Sequence, residues 1–147
     1  MKRLTTAGLT IGMLLRTSAL LPAAPQAQPT AAPAPAPGEV FPSFVAEGID
    51  GSTVYVDYPK GSATVLIFFL SGCPHCLKMI PEWNRAFERR SKSLKVLGVL
   101  MDKEPPGFFI ATPISFPVVR APGQAFLTSA KINRVPLTLR VGGGGAV

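Results

Sequence analysis

The chain has 147 residues and a formal net charge of +7, from 15 lysines and arginines and 8 aspartates and glutamates. Three of the basic residues fall within the first 16 positions, so residues 39–147 carry 12 basic and 8 acidic side chains, a net charge of +4. The only basic run, between positions 85 and 95, lies along and just after a predicted helix and is interpreted as its solvated face. A contact surface for an acidic partner is the alternative. No dense basic patch with interleaved aromatics and no recognisable module is visible, which excludes nucleic-acid binding.

The first 38 residues differ in composition from the rest. Lys2 and Arg3, followed by the mostly apolar segment Leu4–Leu15, are typical of an export signal. Arg16 interrupts this segment too early for a well-formed membrane span. Residues 1–21 are therefore predicted to be a signal peptide or N-terminal anchor that directs the chain to the periplasm or otherwise out of the cytoplasm. A disordered cytosolic tail is the alternative.

Residues 22–38 contain six prolines among small residues, which favours an extended linker. One domain is predicted over residues 39–147. It begins with two short strands, Phe41–Asp50 and Thr53–Asp57, around a turn. The continuously apolar segment Thr64–Leu70 is rich in β-branched and aromatic residues and predicts a strand buried on both faces.

A helix is predicted from Cys73 onwards, because apolar side chains then recur every three or four residues. Pro74 suits its first turn, where no N–H is needed, and Pro81 lies inside it and predicts a kink. The residues that share its apolar face are Cys76, Ile80, Trp83 and Phe87.

Further elements alternate between strand and helix. A second buried strand, Val96–Met101, precedes an irregular or briefly helical stretch at residues 104–112. Ile114–Arg120 predicts a short strand or extended segment, Ala125–Asn133 a helix and Leu137–Val141 a strand. This alternation predicts an α/β sheet with crossover connections.

The only two cysteines lie in the segment Cys73-Pro74-His75-Cys76, where the buried strand is followed by the helix. Such a pair can close a disulfide, and the helix N-terminus favours a thiolate. Cys73, at the helix start and more exposed, is the predicted nucleophile, and Cys76, one turn inside, is the predicted resolving thiol. His75, the only histidine, is predicted to stabilise the Cys73 thiolate by charge or a hydrogen bond. An exposed loop histidine without a role is the alternative.

With these features in order, the sequence resembles the thioredoxin fold and, more narrowly, the exported TlpA/ResA-type thiol–disulfide oxidoreductases. The resemblance covers about residues 41–147. It rests on the opening hairpin and active-site strand up to CPHC, on Pro81 eight residues after Cys73, on ISFPVV (114–119) and on RVPLT (134–138). It implies a central mixed β-sheet flanked by helices and no cofactor or metal. Its implied partners are protein thiols or disulfides and an upstream redox protein, with a possible membrane tether through the N-terminus.

The resemblance also implies roles for residues near the sulfurs. Pro136 is expected to follow a cis peptide bond, and the backbone of Val135 is expected to pair with an incoming substrate chain. An ordinary loop proline is the alternative. Pro74 and His75 resemble the interior of the oxidising DsbA-type motif, whereas the surrounding sequence resembles reductases. The direction of electron flow therefore stays open.

The chain departs from the family's pattern in three places. Gly72 stands where many thioredoxins carry tryptophan, and Ile67 stands where thioredoxin has a buried aspartate that helps to deprotonate the resolving cysteine. Residues 142–145 predict a hairpin turn, and Ala146–Val147 the start of another strand. The last strand and the C-terminal helix are expected to be missing, which predicts low stability or association.

Two other functions on the same fold are weighed against this one. A peroxiredoxin-like antioxidant peroxidase requires a threonine three residues before its reactive cysteine, and Leu70 occupies that position. A non-enzymatic, copper-chaperone-like binding protein uses a cysteine pair and a distal histidine, but the only histidine here lies between the cysteines. A structural zinc site needs four ligands, and a structural disulfide across so short a loop would constrain the unfolded chain little.

Overall fold

The computed structural model of the protein describes residues 33–147. The predicted signal or anchor at residues 1–21, and the predicted linker as far as residue 32, lie outside the described residues. The domain boundaries drawn from composition therefore stay predictions. No helix within residues 33–147 is long and apolar enough to cross a membrane.

Six strands and three α-helices make up the described part of the chain. In chain order they are β1 (Phe44–Gly48), β2 (Thr53–Val56), β3 (Ala63–Phe69), α1 (Pro74–Arg89), β4 (Leu94–Leu100), α2 (Phe108–Ala111), β5 (Val118–Arg120), α3 (Gln124–Ser129) and β6 (Leu137–Val141). A 3-10 turn follows at Gly143–Gly145. The predicted alternation of strands and helices is confirmed.

The strands form one mixed sheet in the order β2-β1-β5-β4-β3-β6. β3, β4 and β5 run parallel, while β1 pairs antiparallel with β2 and β5, and β6 pairs antiparallel with β3. Helix α1 crosses from β3 to its parallel neighbour β4, as a parallel pair requires. The predicted central mixed sheet with crossover connections is therefore present.

Strand β3 is buried on both faces, because its side chains alternate between two hydrophobic clusters. Leu66 and Phe68 belong to a cluster with residues of α3 and the turn after it, the α3-side cluster. Ile67 and Phe69 belong to a cluster with residues of α1, the α1-side cluster. None of the four side chains is more than 3% exposed. This double burial is the reason for the continuous apolar run that predicted the strand.

Strand β5 is shorter than predicted, because the chain before it bonds to helix α1. The side-chain amide of Asn84 donates to the carbonyl of Pro113 at 3.0 Å and accepts from the N–H of Ser115 at 2.9 Å. Pro117 has no N–H to add to a ladder. Pairing with β4 therefore begins only at Val118.

Helix α3 also ends before its predicted boundary at Asn133. Lys131 takes the left-handed conformation, with φ of 57°, and the N–H of Ile132 donates to the carbonyl of Leu127 at 2.8 Å. This geometry is a common way to end a helix, usually with glycine at the left-handed position. A lysine there gave no stop signal in the sequence.

The predicted turn after β6 is present, and the residues that follow it pair with the segment before β1. The N–H of Gly142 donates to the carbonyl of Ala146 at 2.7 Å. Ala146 forms an antiparallel bridge with Val40, and the N–H of Val147 donates to the carbonyl of Glu39 at 3.0 Å. The expectation that a further strand and helix belong to the fold stays a prediction.

Candidate active site

The cysteine pair lies where β3 gives way to α1, as the sequence predicted. Cys73 is the N-cap residue of α1, and its sulfur accepts a hydrogen bond from the N–H of Cys76 at 3.4 Å. Pro74 occupies the first turn, where its missing N–H leaves no bond unmade. The sulfur of Cys73 therefore caps the helix, next to the N–H groups that lack partners inside it.

The two thiols have different surroundings. Cys73 is half-buried, whereas Cys76 is fully buried in the α1-side cluster beside Ile80 and Phe69. Both are free thiols. An incoming molecule can therefore reach the sulfur of Cys73 but not that of Cys76.

Opposite pKa shifts accompany this difference in exposure. The pKa of Cys73 lies below its usual value, first because the Cys76 thiol hydrogen-bonds to it and then because the backbone N–H groups of Cys76 and His75 stabilise the thiolate. Burial, and then the hydrogen bond with Cys73, raise the pKa of Cys76 to about 11. The backbone N–H of Leu70 acts in the other direction on Cys76, but burial outweighs it. Cys73 is thus the thiol that ionises first.

Between the cysteines, Pro74 and His75 are both exposed. The contribution of His75 to the lowered pKa of Cys73 comes from its backbone N–H. The sequence predicts that His75 acts by a positive charge or a hydrogen bond, and this hydrogen bond comes from the backbone. A role for the ring itself stays a prediction.

The loop before β6 carries the two other residues that the sequence singled out. The Val135–Pro136 peptide bond is cis, as predicted. Val135 is half-buried and packs against the α1-side cluster, which also receives Cys73 and contains Cys76. Pro136 is exposed. The structure thus brings Val135 and the cysteine pair to one cluster, although they are about 60 residues apart in the sequence.

Two residues that hold the segment before Cys73 were not predicted from the sequence. The carboxylate of Asp102, just after β4, accepts from the N–H of Ser71 at 2.9 Å and from its hydroxyl at 2.8 Å. The sequence contained part of the signal for this contact between Ser71 and Asp102, because β3 and β4 were both predicted as buried strands. The carboxyl ends of parallel neighbours meet at one edge of the sheet, which brings an acid after one strand close to the residues after the other.

Ile67 and Gly72 are the two residues near the cysteines that depart from the thioredoxin pattern, and their surroundings differ. Ile67 is buried in the same cluster as Cys76, so no acidic side chain stands at that strand position. Gly72 is exposed, and a Cβ built on it would meet nothing within 4 Å. The surface beside Cys73 is therefore open on the side of Gly72.

No group of three or more His, Cys, Asp or Glu side chains within residues 33–147 could hold a metal ion.

The basic residues between positions 85 and 95 are exposed, in agreement with a solvated helix face. Arg85 pairs with Glu82 on the helix surface, and the guanidinium of Arg90 lies 3.5 Å from the centre of the Phe87 ring.

The mixed sheet with α1 following a cysteine-bearing loop defines a thioredoxin-like α/β fold, which the comparisons with known proteins also give. Residues 37–134 match the AhpC/TSA family, more than half of the chain, and the chain belongs to this family. No curated protein sequence is significantly similar to it.

Solved structures with this fold include several oxidoreductases. The thioredoxin domain of a thiol-disulfide oxidoreductase from Bacteroides vulgatus superposes with a TM-score of 0.65 at 21% identity, over 77% of this chain and 86% of that one. The exposed lipoprotein thioredoxin Etrx1 of Streptococcus pneumoniae gives a TM-score of 0.61 at 20% identity, over 71% and 84%. A secreted disulfide oxidoreductase of Mycobacterium tuberculosis, homologous to Escherichia coli DsbE, gives 0.59 at 16%, over 70% and 78%. These likenesses show the shared fold.

Proposed function

We propose that the protein is a thiol–disulfide oxidoreductase that exchanges electrons with partner protein thiols through Cys73 and Cys76. The observation that carries this proposal is the asymmetry of the pair: an accessible thiol with a lowered pKa stands beside a buried thiol with a raised pKa. Disulfide exchange needs one thiolate that attacks and a second thiol that stays protonated until the first has reacted.

In the reducing direction, the Cys73 thiolate attacks one sulfur of a partner disulfide. The partner's disulfide breaks, a Cys73–partner disulfide forms, and the released partner sulfur takes up a proton. Cys76 then gives up its proton and attacks the Cys73 sulfur, which closes the Cys73–Cys76 disulfide and releases the second partner thiol. Two electrons pass from the chain to the partner, and the oxidising direction is the reverse.

The second step is assisted by the first. The hydrogen bond and the charge of Cys73 are two of the causes that raise the pKa of Cys76. Both are removed once the sulfur of Cys73 is bonded to a partner, so the pKa of Cys76 falls when its thiolate is needed. Burial continues to oppose ionisation, and Ile67 provides no carboxylate to take the proton.

The lowered pKa of Cys73 also bears on the direction of electron flow. A stabilised thiolate stabilises the reduced form of the pair, and this makes the disulfide a stronger oxidant. We propose that the imidazole of His75 adds to this effect, as in the oxidising motifs that Pro74 and His75 resemble. The backbone of Val135, beside Pro136, is the proposed docking edge for a substrate chain.

The proposed location is the periplasm or another compartment outside the cytoplasm, with export or a membrane tether provided by residues 1–21. Lys2, Arg3 and the apolar residues after them support it. Two solved structures of the same fold are described as an exposed lipoprotein and as a secreted protein. Partner thiols and an upstream redox protein would be met there.

The test is equilibration of the reduced protein with glutathione buffers of known potential, followed by mass analysis of the Cys73–Cys76 disulfide. A potential near −120 mV would identify an oxidant like DsbA, and one near −270 mV a reductant like thioredoxin. Cys76→Ser is expected to accumulate a mixed disulfide with a model substrate, whereas Cys73→Ser, its matched control, forms none. If the wild type forms no intramolecular disulfide at any potential, the proposal is wrong.

Peroxide reduction is a second candidate, favoured by the family match over residues 37–134. Leu70 stands where a peroxidatic cysteine would need a threonine, so we expect hydrogen peroxide to be consumed no faster by the wild type than by Cys73→Ser. Dithiothreitol would serve as the reductant in both reactions. A large excess of wild-type activity would favour the peroxidase instead.

A further inference from the structure

We propose that Asp102 and Ser71 form a positioning clamp that sets the reactivity of Cys73 in the proposed exchange reaction. This inference rests on the proposed function. The clamp consists of the two hydrogen bonds from Ser71 to the carboxylate of Asp102, at 2.9 Å from the N–H and 2.8 Å from the hydroxyl. Neither residue forms a hydrogen bond with the sulfur of Cys73 or Cys76, so their effect passes through the segment between β3 and α1.

The backbone of that segment bonds to Cys73 and affects the ionisation of Cys76. The carbonyl of Leu70 accepts from the N–H of Cys73 at 3.3 Å. The backbone N–H of Leu70 also stabilises the thiolate of Cys76. A displacement of residues 70–72 would therefore move the N-cap sulfur and loosen the hydrogen bonds that stabilise each thiolate.

The clamp joins this segment to the rigid part of the sheet. β4 pairs with β3 along seven residues, and the N–H of Met101 extends the pairing to the carbonyl of Phe69 at 3.0 Å. Asp102 is the next residue, so its carboxylate is held at the carboxyl end of β3. Ser71 is buried. Hydrogen bonds to a charged acceptor are stronger than neutral ones, and more so away from water.

Two bonds from one residue to one carboxylate fix orientation as well as position. One bond alone would leave Ser71 free to rotate about it, whereas the N–H and hydroxyl together hold the backbone of the loop at a defined angle. Two residues further on, the same backbone carries the Cys73 sulfur that caps α1. The clamp thus orients the nucleophile for the N–H groups of Cys76 and His75 that lower its pKa.

The chain contains a matched control for loss of an acid in the same loop. Glu104, two residues after Asp102, pairs with Arg120 of β5, which also bonds to Glu47 and to the carbonyl of Gly48. This network joins the loop to β5 and β1 rather than to the cysteine segment. Glu104→Gln should lower stability and leave the reactivity of Cys73 unchanged.

The experiment measures the rate of iodoacetamide alkylation of Cys73 against pH in the Cys76→Ser background, together with thermal unfolding. In Asp102→Ala we expect the pH midpoint of alkylation to rise. The alkylation rate below that midpoint should fall about two- to tenfold, which corresponds to the loss of one ordinary hydrogen bond. Ser71→Ala, which loses only the hydroxyl bond, should show a smaller change in the same direction. Asp102→Asn keeps an acceptor for the Ser71 N–H and should restore most of the wild-type profile.

A clamp with a purely structural role would lower the unfolding temperature of Asp102→Ala and Ser71→Ala while their pH profiles match that of the parent. That result would overturn the inference. Should Asp102→Ala fail to fold, Ser71→Ala decides the matter, since it removes only one oxygen. Alkylation requires no disulfide exchange, so the two proposals can fail separately. If the wild type forms no disulfide in the glutathione titration but the clamp variants still change the alkylation profile of Cys73, only the proposed function is refuted.

Discussion

The two cysteines are expected to differ in reactivity by at least two orders of magnitude, and single substitutions isolate each of them. Cys73→Ser leaves Cys76 as the only thiol, and Cys76→Ser leaves Cys73. In the intact pair the pKa of Cys76 is raised from 9.0 to about 11. A rise of two units corresponds to about a hundredfold less thiolate at any pH below 9, or about 2.7 kcal/mol.

Most of this difference should survive in the single-cysteine variants. Burial, the largest cause of the raised pKa of Cys76, persists in Cys73→Ser, although the bond with Cys73 is lost. Cys73 keeps its two backbone N–H contacts in Cys76→Ser. Cys76 is also 0% exposed, so that even its thiolate would meet reagents slowly.

The assay is the rate of alkylation of each variant between pH 5 and pH 11, with thiolate absorbance as an independent measure of ionisation. We expect Cys73 to react at least about a hundredfold faster than Cys76 at pH 7 and to titrate at lower pH. In urea the two variants should react alike. Rates within about threefold of each other in the folded state, with a shared pH midpoint, would refute the assignment of nucleophile and resolving thiol.

Three further outcomes concern stability. Gly98→Ala should lower the free energy of unfolding by about 1–3 kcal/mol, because the new Cβ would lie 2.8 Å from the ring of Phe116; Gly72→Ala, with nothing within 4 Å, is the control, and equal melting temperatures would contradict the packing argument. Thr64→Val should be neutral or stabilise by about 1 kcal/mol in the same melts, because the buried hydroxyl of Thr64 has no hydrogen-bond partner within residues 33–147; a clear loss would mean that water satisfies it. The reduced protein should lose up to about 2.7 kcal/mol as the pH rises from 9 towards 11, because the folded state holds the Cys76 proton more tightly, with its pKa at about 11 instead of 9.0. Urea unfolding of Cys76→Ala should lack the part of this loss between pH 9 and pH 10, since burial also raises the pKa of Tyr58 from 10.0 and adds a loss above pH 10 in both proteins. A wild type without the loss between pH 9 and pH 10 would contradict the raised pKa of Cys76.

The elements that surround the cysteines were predictable because their patterns are local. The apolar run of β3 reflects burial on two faces, and the spacing of Cys76, Ile80 and Trp83 reflects one face of α1. β6 was predicted with the bounds that the structure gives it. Each pattern is visible within a short window of consecutive residues, so no tertiary contact was needed to recognise it.

Element ends were less predictable where a distant side chain or an unusual residue decides them. Asn84 of α1 holds the chain before β5 in place of a strand partner. Lys131 takes a left-handed conformation, which at a helix end is usually taken by glycine. The Asn84 contacts are made only after folding, and Lys131 likewise forms an ion pair with the distant Glu39.

The sequence by itself determined the cysteine pair, its place between a buried strand and a helix, and the class of chemistry that such a pair can perform. Those features depend on residues that are covalent neighbours. Only the tertiary structure decided how differently the two thiols are buried and which residues hold the loop before them. Ser71 and Asp102 are 31 positions apart and meet because β3 and β4 pair in parallel register. Register is set by the packing of the whole sheet, which no short stretch of sequence encodes.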